Sequence, residues 1–331
     1  MALVTAVAAL RHINPKSYIP HDLHRGERAW AESNCYIDVW IEVLHTLGCE
    51  PLACLAFVLG VDWEGDQFTF FKPPLEDLVE LYGVDVQELT VYKSTLRNAE
   101  QQLRGGNIVL SEIDSFYLPD TVGTDYRLQH VKTTIGIQEV DVDARTLGYF
   151  HNSSYHVLRD TDFVGLFRLD APVDPTYMPF FAELVRTHRV VRLEERMLVA
   201  RSVALLRKHV ARRPDDNPIA RFAKAFVLDV ERLKTEGLAA YHAYAFATIR
   251  QLGAACELAA VYLRWLESQG EVALEPSALA FDAISMTSKS LILKTARAVG
   301  TNKAVDLEPM LREVESQWAI GMTHLAKRYG V

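Results

Sequence analysis

The sequence predicts an α+β fold, with a mixed domain over residues 1–171 followed by an all-α helical bundle over residues 172–331. Two observations predict it. Between about residues 54 and 170, short apolar runs typical of strands alternate with amphipathic helices, as in one sheet with helices packed on it. After Pro172-Val173-Asp174-Pro175, the apolar residues recur at three- and four-residue steps, which is the period of a helix. A chain of 331 residues, 49% of them hydrophobic, is long enough for two cores.

The first half predicts a sheet whose central part is a hairpin. The polar segment 138–145 separates two apolar runs and predicts a turn, so residues 130–137 and 146–152 are expected to pair as antiparallel strands. Turn residues, including Gly105-Gly106, mark the ends of the other predicted helices and strands. The pattern predicts helices at 74–82 and 95–104, and further strands at 68–71, 89–92 and 108–114.

The second half predicts helices only, separated by proline- and glycine-containing breaks. No internal repeat is visible, and no helix carries a catalytic signature. The expected helices are roughly 177–189, 193–212, 217–235, 238–268, 276–299 and 305–328.

Composition excludes several classes of function. A net charge of -8 argues against a nucleic-acid partner, since the only basic run is Arg207-Lys208 to Arg212-Arg213. The four cysteines lack the paired spacing of a zinc site or of a secreted disulfide framework, so we expect no metal and a cytoplasmic location. No apolar stretch approaches the roughly 20 residues of a membrane span, and no membrane partner is expected.

Cys35 is predicted to lie in the first turn of a helix that ends near Gly48. Ser33 or Asn34 is a suitable N-cap. Unpaired backbone N–H groups and the positive end of the helix dipole favour a thiolate at this position, where nucleophilic cysteines are found. The alternative is that Cys35 is a small buried hydrophobic residue.

A nucleophilic cysteine needs a base and a third group that orients the base. His130 begins one strand of the predicted hairpin and Asn152 ends the other, so the hairpin is expected to bring Asn152 beside the His130 imidazole. Cys35, His130 and Asn152 then follow one another in the order nucleophile, base, orienting group. If the strand is shifted by one residue, His151 faces the site instead.

The runs Glu32-Ser33-Asn34-Cys35-Tyr36 and Ile108-Val109-Leu110-Ser111-Glu112-Ile113-Asp114-Ser115-Phe116-Tyr117-Leu118-Pro119-Asp120, with His130, carry a family resemblance. Over about residues 20–170 the chain resembles the butirosin biosynthesis protein H N-terminal-like family and a related bacterial family of unknown function. In that group a cysteine opens an early helix, and a strand ending in Asp precedes the histidine strand. The resemblance implies a papain-like fold.

The resemblance also implies an acyltransferase, which moves an aminoacyl group from the phosphopantetheine thioester of a carrier protein to a small-molecule acceptor, an amine or alcohol. Carried over by position, it makes Cys35 the nucleophile, His130 the base and Asn152 the orienting group, with no covalently bound cofactor. The oxyanion donor is expected to be the backbone N–H of Cys35 or the side chain of Asn34, since Ala29 stands where papain-type enzymes carry glutamine.

The predicted pocket and the second domain leave alternatives open. Asp114, Tyr117 and Asp120 are expected either to shape the acyl pocket and bind an amine, or to form an ordinary turn with a packed aromatic ring. With water as acceptor the same residues would make a thioesterase or a cysteine peptidase. The chain could also be a non-catalytic module that binds a carrier protein, with the basic run as docking surface and the helical half as a homodimer interface.

Overall fold

The computed structural model describes residues 6–26, 28–172 and 178–331. It is a mixed α/β structure, about 54% helical, with an antiparallel sheet in the N-terminal region and helices in the C-terminal region. The chain divides into two compact units, and each unit is made of three separate segments. The first unit contains Met1–Gly26, Cys35–Pro51 and Leu78–Arg192, and the second contains Glu27–Asn34, Leu52–Asp77 and Leu193–Val331.

The sheet belongs to the first unit, and all its pairs are antiparallel. Its spatial order is β2-β7-β3-β4-β5-β6, with β1 paired to β4. The strands are β1 Val7–Ala8, β2 Asp85–Leu89, β3 Asn107–Asp114, β4 Lys132–Asp141, β5 Thr146–His151, β6 Ser154–Arg159 and β7 Ala182–Arg186.

The predicted central hairpin is confirmed as β4 and β5, and the predicted strand at 108–114 is confirmed as β3. β4 begins at Lys132, so His130 precedes the strand instead of opening it. The strand predicted at 68–71 is reduced to a single bridge between Trp63 and Phe68, and the one predicted at 89–92 lies earlier, as β2.

The prediction of a helix at 177–189 is wrong, because Ala182–Arg186 forms strand β7, which lies between β2 and β3. The sequence Glu-Leu-Val-Arg is compatible with a helix or a strand, and hydrogen bonding to two neighbouring strands stabilises the strand. The boundary predicted at 171/172 therefore falls inside the first unit, which continues to Arg192.

Three helices, α2 Cys35–Thr46, α4 Thr95–Arg104 and α5 Asp160–Leu166, pack on this sheet and cover both of its faces. Two further helices, α1 Asp22–Arg25 and α3 Leu75–Tyr82, precede β2 in the chain. α2 packs so closely on β4 that a Cβ placed on Gly136 would lie 3.2 Å from Val39 Cγ1 and 3.4 Å from Leu110 Cδ2. Leu96 of α4 and Phe163 of α5 join the main core with the residues of the opposite face, Ile137 among them.

The second unit contains six long helices, close to those predicted. The helix predicted at 238–268 is divided at Thr248, whose φ of -115° and ψ of -92° interrupt it. The six helices of the second unit are α6 Glu195–Ala211, α7 Pro218–Glu236, α8 Leu238–Ala247, α9 Ile249–Ser268, α10 Glu275–Thr301 and α11 Glu308–Tyr329. Within the described ranges, no helix has the length and apolar character needed to cross a membrane.

Candidate active site

Cys35 is the first residue of α2, as the sequence predicts, and it is partly buried. The next residue, Tyr36, donates its hydroxyl hydrogen to Glu183 Oε2 at 2.7 Å. Glu183 pairs with Leu110, so the start of α2 lies over β7 and β3. Cys35 therefore lies in the first turn, where the backbone N–H groups of a helix have no partner within the helix.

The direction of α2 follows from its other end. The carbonyl of Leu47, just after α2, accepts a hydrogen bond of 2.6 Å from Arg192 Nη2. Arg192 follows β7 at the end where β7 pairs with the first residue of β3. α2 therefore runs from the end of β3 toward its beginning, and Cys35 lies toward the end of β3 that carries Asp114.

Asp114 lies on the sheet face that α2 covers. Val39 and Leu110 meet on this face, and side chains four residues apart on a strand share a face. Cys35 is about 6 Å along the helix from Val39. Asp114 is about 13 Å along β3 from Leu110, in the same direction. Cys35 and Asp114 thus share one face and one end of the sheet.

Asp114 holds His130. The distance from His130 Nδ1 to Asp114 Oδ2 is 2.6 Å, and Asp114 Oδ1 accepts a hydrogen bond of 3.1 Å from the Phe116 backbone N–H. The imidazole also stacks on the Phe116 ring, with 4.4 Å between centroids and 15° between planes. Its side chain is 67% exposed. Because Nδ1 is held by the carboxylate, Nε2 is the nitrogen left for proton transfer.

Asn152 does not take the place expected for it. The ladder pairs Gly136 with Phe150, which sets Asn152 level with Thr134, four residues or about 13 Å from His130. Asn152 instead begins the turn after β5, with a φ of 48°. The carboxylate that contacts His130 is instead that of Asp114, which was predicted either to shape the acyl pocket and bind an amine or to form an ordinary turn.

A signal for this pairing exists in the sequence. Asp114 ends the strand before the histidine strand, and antiparallel pairing of the two strands places it opposite Lys132, two residues from His130. In the chain the carboxylate precedes the histidine, so the order of the three residues is Cys35, Asp114, His130.

His151, the alternative base, points to the opposite face from α2. Phe150 shares a face with Gly136 and Val39, so its neighbour His151 faces the other way. His151 Nδ1 lies 2.5 Å from Asp120 Oδ2, and its Nε2 lies 2.9 Å from Thr133 Oγ1. Both nitrogens are therefore engaged in a buried network, and His151 does not face Cys35.

Asp120 is the acceptor at the centre of that network. Its second oxygen accepts the hydroxyl hydrogen of Tyr149. Burial opposes ionisation of this carboxyl, but the hydrogen bonds from His151 and Tyr149, together with the charges of His151 and His156, lower the pKa of Asp120 below its usual range. With both oxygens occupied inside the fold, Asp120 stabilises the sheet and is not placed to bind an amine.

A second buried cluster fixes α2 one turn beyond Cys35. His24 Nε2 lies 3.1 Å from Asp38 Oδ1, and His24 Nδ1 lies 2.5 Å from Glu42 Oε1. Burial disfavours the imidazolium, but the bonds to Asp38 and Glu42 overcome this and raise the pKa of His24. Both ring nitrogens face carboxylates, so His24 anchors the preceding segment to α2. No motif or periodicity in the sequence predicts this cluster.

The remaining predicted residues have structural partners. Asn34 is 2% exposed, and its Nδ2 donates a hydrogen bond of 2.8 Å to the Phe71 carbonyl. Tyr117 occupies the space beside Gly165, where a Cβ would lie 2.2 Å from its ring. Because Asn34 already donates to the backbone, the Cys35 N–H is the better oxyanion donor. A pocket role for Tyr117 stays a prediction.

The chain matches the models of two protein-family domains. Residues 19–187 match the DUF1839 N-terminal domain, and residues 195–327 match the DUF1839 C-terminal domain. The chain belongs to the DUF1839 family. No curated protein matches it. Cys35, Asp114 and His130 all lie in the DUF1839 N-terminal domain, which ends just after β7.

Proposed function

We propose that this DUF1839 protein is a cysteine-dependent acyltransferase in which Cys35 is the nucleophile, His130 the base and Asp114 the residue that positions the base. One observation carries the proposal. The helix that begins with Cys35 lies on the same sheet face, and points its start to the same sheet end, as the His130–Asp114 pair. The papain-like identity of the first unit belongs to the same proposal.

The chemistry follows from these positions. His130 Nε2 accepts the Cys35 proton, and the thiolate sulfur attacks the carbonyl carbon of a thioester. The carbon–sulfur bond to the donor then breaks, and the leaving thiol takes the proton from His130. In the second half, His130 accepts a proton from the acceptor amine or alcohol, which attacks the acyl-cysteine and releases the Cys35 sulfur. Both halves develop negative charge on one carbonyl oxygen, which the Cys35 N–H can stabilise.

The proposed donor is an aminoacyl or acyl thioester on the phosphopantetheine of a carrier protein. A thioester is already activated, so positioning and an oxyanion donor suffice. The residues that carry the resemblance to butirosin biosynthesis protein H support this donor class. A reducing compartment such as the cytoplasm suits the reaction, since all four cysteines are free thiols.

Intact-protein mass after incubation with aminoacyl and acyl pantetheine thioesters tests the proposal. We expect a mass gain of one acyl group on the wild type and none on Cys35→Ala. Cys49→Ala is the matched control, because Cys49 is also partly buried and burial raises the pKa of its thiol to about 11, which keeps it protonated. Cys49→Ala should acylate like the wild type.

The remaining outcomes separate the other function classes. Acyl-Cys35 that decays in water as fast as in the presence of amines would identify a thioesterase. No adduct and no loss of thioester across the panel would contradict acyl transfer. Carrier-protein binding that is the same in the wild type and in Cys35→Ala would then indicate a binding module.

A further inference from the structure

The second unit contains a small pocket whose charge is opposite to that of the chain. Its volume is about 260 Å³, and none of the nine described residues that line it is acidic. Three basic side chains, Lys72, His209 and Arg212, line it together with the apolar residues Phe57, Val61 and Phe71. In a chain of net charge -8, a pocket that combines basic and apolar walls is built to take an anion with an apolar body.

The imidazole of His209 is held in place by a buried carboxylate. Its Nε2 lies 2.6 Å from Asp77 Oδ2, and Lys208 Nζ lies 2.7 Å from the other oxygen of the same carboxylate. Asp77 is fully buried. Burial disfavours its charge, but the hydrogen bonds from His209 and Lys208 lower the pKa of Asp77, so it is a carboxylate. The imidazole therefore has a fixed orientation, with Nε2 directed at Asp77, and Nδ1 can donate to a ligand when the ring is protonated.

A second pocket shows why the charge of the lining matters. A larger cavity in the first unit, about 520 Å³, is lined by Arg127, Arg145 and Arg168. Asp160 and Asp170 line it as well, and they offset two of the three positive charges. Of these two pockets, the smaller one combines a lining without described carboxylates with the buried contact between His209 and Asp77 beside it.

We propose that this pocket, bounded by Phe57, Phe71, His209 and Arg212, binds a small organic acid. The carboxylate would lie between Arg212 and His209, and an aromatic or short aliphatic body would lie against Phe57 and Phe71. An arginine and a protonated imidazole both donate charge-assisted hydrogen bonds to a carboxylate. An apolar cavity of roughly 150 Å³ accommodates benzene, so this pocket has room for a ring and a carboxylate. The site is independent of Cys35.

Gly60 supplies a way to close the pocket. It ends the 3₁₀-helical segment Pro51–Gly60 and lines the cavity. A Cβ placed on Gly60 would meet nothing within 4 Å, and its backbone is not left-handed. A large side chain at this position would extend into open space. The Gly60→Trp variant is therefore expected to fold, with its indole ring in the pocket.

Calorimetric titration of the full chain with benzoate, phenylacetate and hexanoate tests the proposal. We expect at least one of these acids to bind with a dissociation constant below about 1 mM, and its amide to bind at least about tenfold more weakly. Arg212→Ala and Gly60→Trp should each weaken binding of that acid by at least about tenfold. Arg207→Ala is the matched control, since it removes an exposed arginine of α6 that does not line the pocket.

The contrary results are equally definite. Equal binding of acid and amide, or binding that survives both Arg212→Ala and Gly60→Trp, would overturn the assignment. So would the absence of binding by all three acids up to about 10 mM. Inorganic phosphate that binds as tightly as the acids would remove the apolar part of the proposal. If Gly60→Trp fails to fold, Arg212→Ala decides alone.

Discussion

Two histidine–aspartate pairs lie at the same end of the sheet and use the same contact. His130 Nδ1 is 2.6 Å from Asp114, and His151 Nδ1 is 2.5 Å from Asp120. They differ in their second nitrogen. The His151 side chain is 2% exposed and its Nε2 meets Thr133 Oγ1, whereas the His130 side chain is 67% exposed.

The comparison teaches that the pair alone does not define a catalytic base. A carboxylate on Nδ1 fixes the tautomer and orientation in both places. Chemistry further requires that Nε2 be open to a reacting group, while stability requires that it be satisfied. The face of the sheet makes the difference, because Asp114 shares the face of α2 and His151 lies on the other.

The largest expected effect separates the two histidines by rate. His130→Gln should slow the acylation of Cys35 by about 10³-fold, since a general base is lost, with the fold retained. His151→Gln should change that rate by less than about tenfold per folded molecule. Rapid-quench mass spectrometry measures both. A folded His151→Gln variant as slow as His130→Gln would transfer the base to the buried face.

The next effect separates the two aspartates by stability. Asp120→Ala should lower the free energy of unfolding by about 3 kcal/mol, because His151 and the Tyr149 hydroxyl stay buried without their acceptor. Asp114→Ala should cost less than about 1 kcal/mol, since water solvates the exposed His130. Urea unfolding of both variants gives the comparison. Equal losses would mean that burial does not distinguish the pairs.

Acid should weaken the buried pair. The pKa of Asp120 is below its ordinary 3.8 in the folded chain, so its stabilising effect is complete above about pH 5 and is lost as the pH falls through the folded pKa. The stability difference between wild type and Asp120→Asn should therefore be constant from pH 5 to 7 and shrink below about pH 4. Thermal unfolding over this range measures it. A difference that grows in acid would contradict the assignment.

The smallest expected effect concerns the second partner of His151. Thr133→Val removes the hydroxyl that meets Nε2 and should cost about 1 kcal/mol of unfolding free energy. Thr134→Val, the next residue and on the opposite face, is the control and should stay within about 0.5 kcal/mol. If both variants unfold at the same urea concentration as the wild type, His151 does not depend on Thr133.

Local patterns predicted the elements that local forces determine. Cys35 begins α2 as expected, because a polar stretch precedes an apolar helical stripe. The β4–β5 hairpin follows from two apolar runs around one polar turn, and the bundle helices follow from their punctuation by proline and glycine.

The features that failed depend on pairing between distant segments. β7 joins the sheet beside β3 although more than 60 residues separate them, and nothing in Ala182–Arg186 itself records its two neighbours. The position of Asn152 also depends on strand pairing. Its place in the hairpin predicts it beside His130, but the register of Gly136 with Phe150 sets it four residues from His130.

The two units alternate along the chain, and this alternation has a consequence for how the gene evolves. Trp30, in a segment of the second unit, donates to Ser285, and Ser202 donates to the carbonyl of Ala53. The N-terminal stretch of the gene thus encodes parts that pack against the C-terminal helices. A truncation after Arg192 would expose the buried surfaces of those parts to water. The two DUF1839 domains are therefore expected to be inherited and lost together, as one gene and not as exchangeable modules.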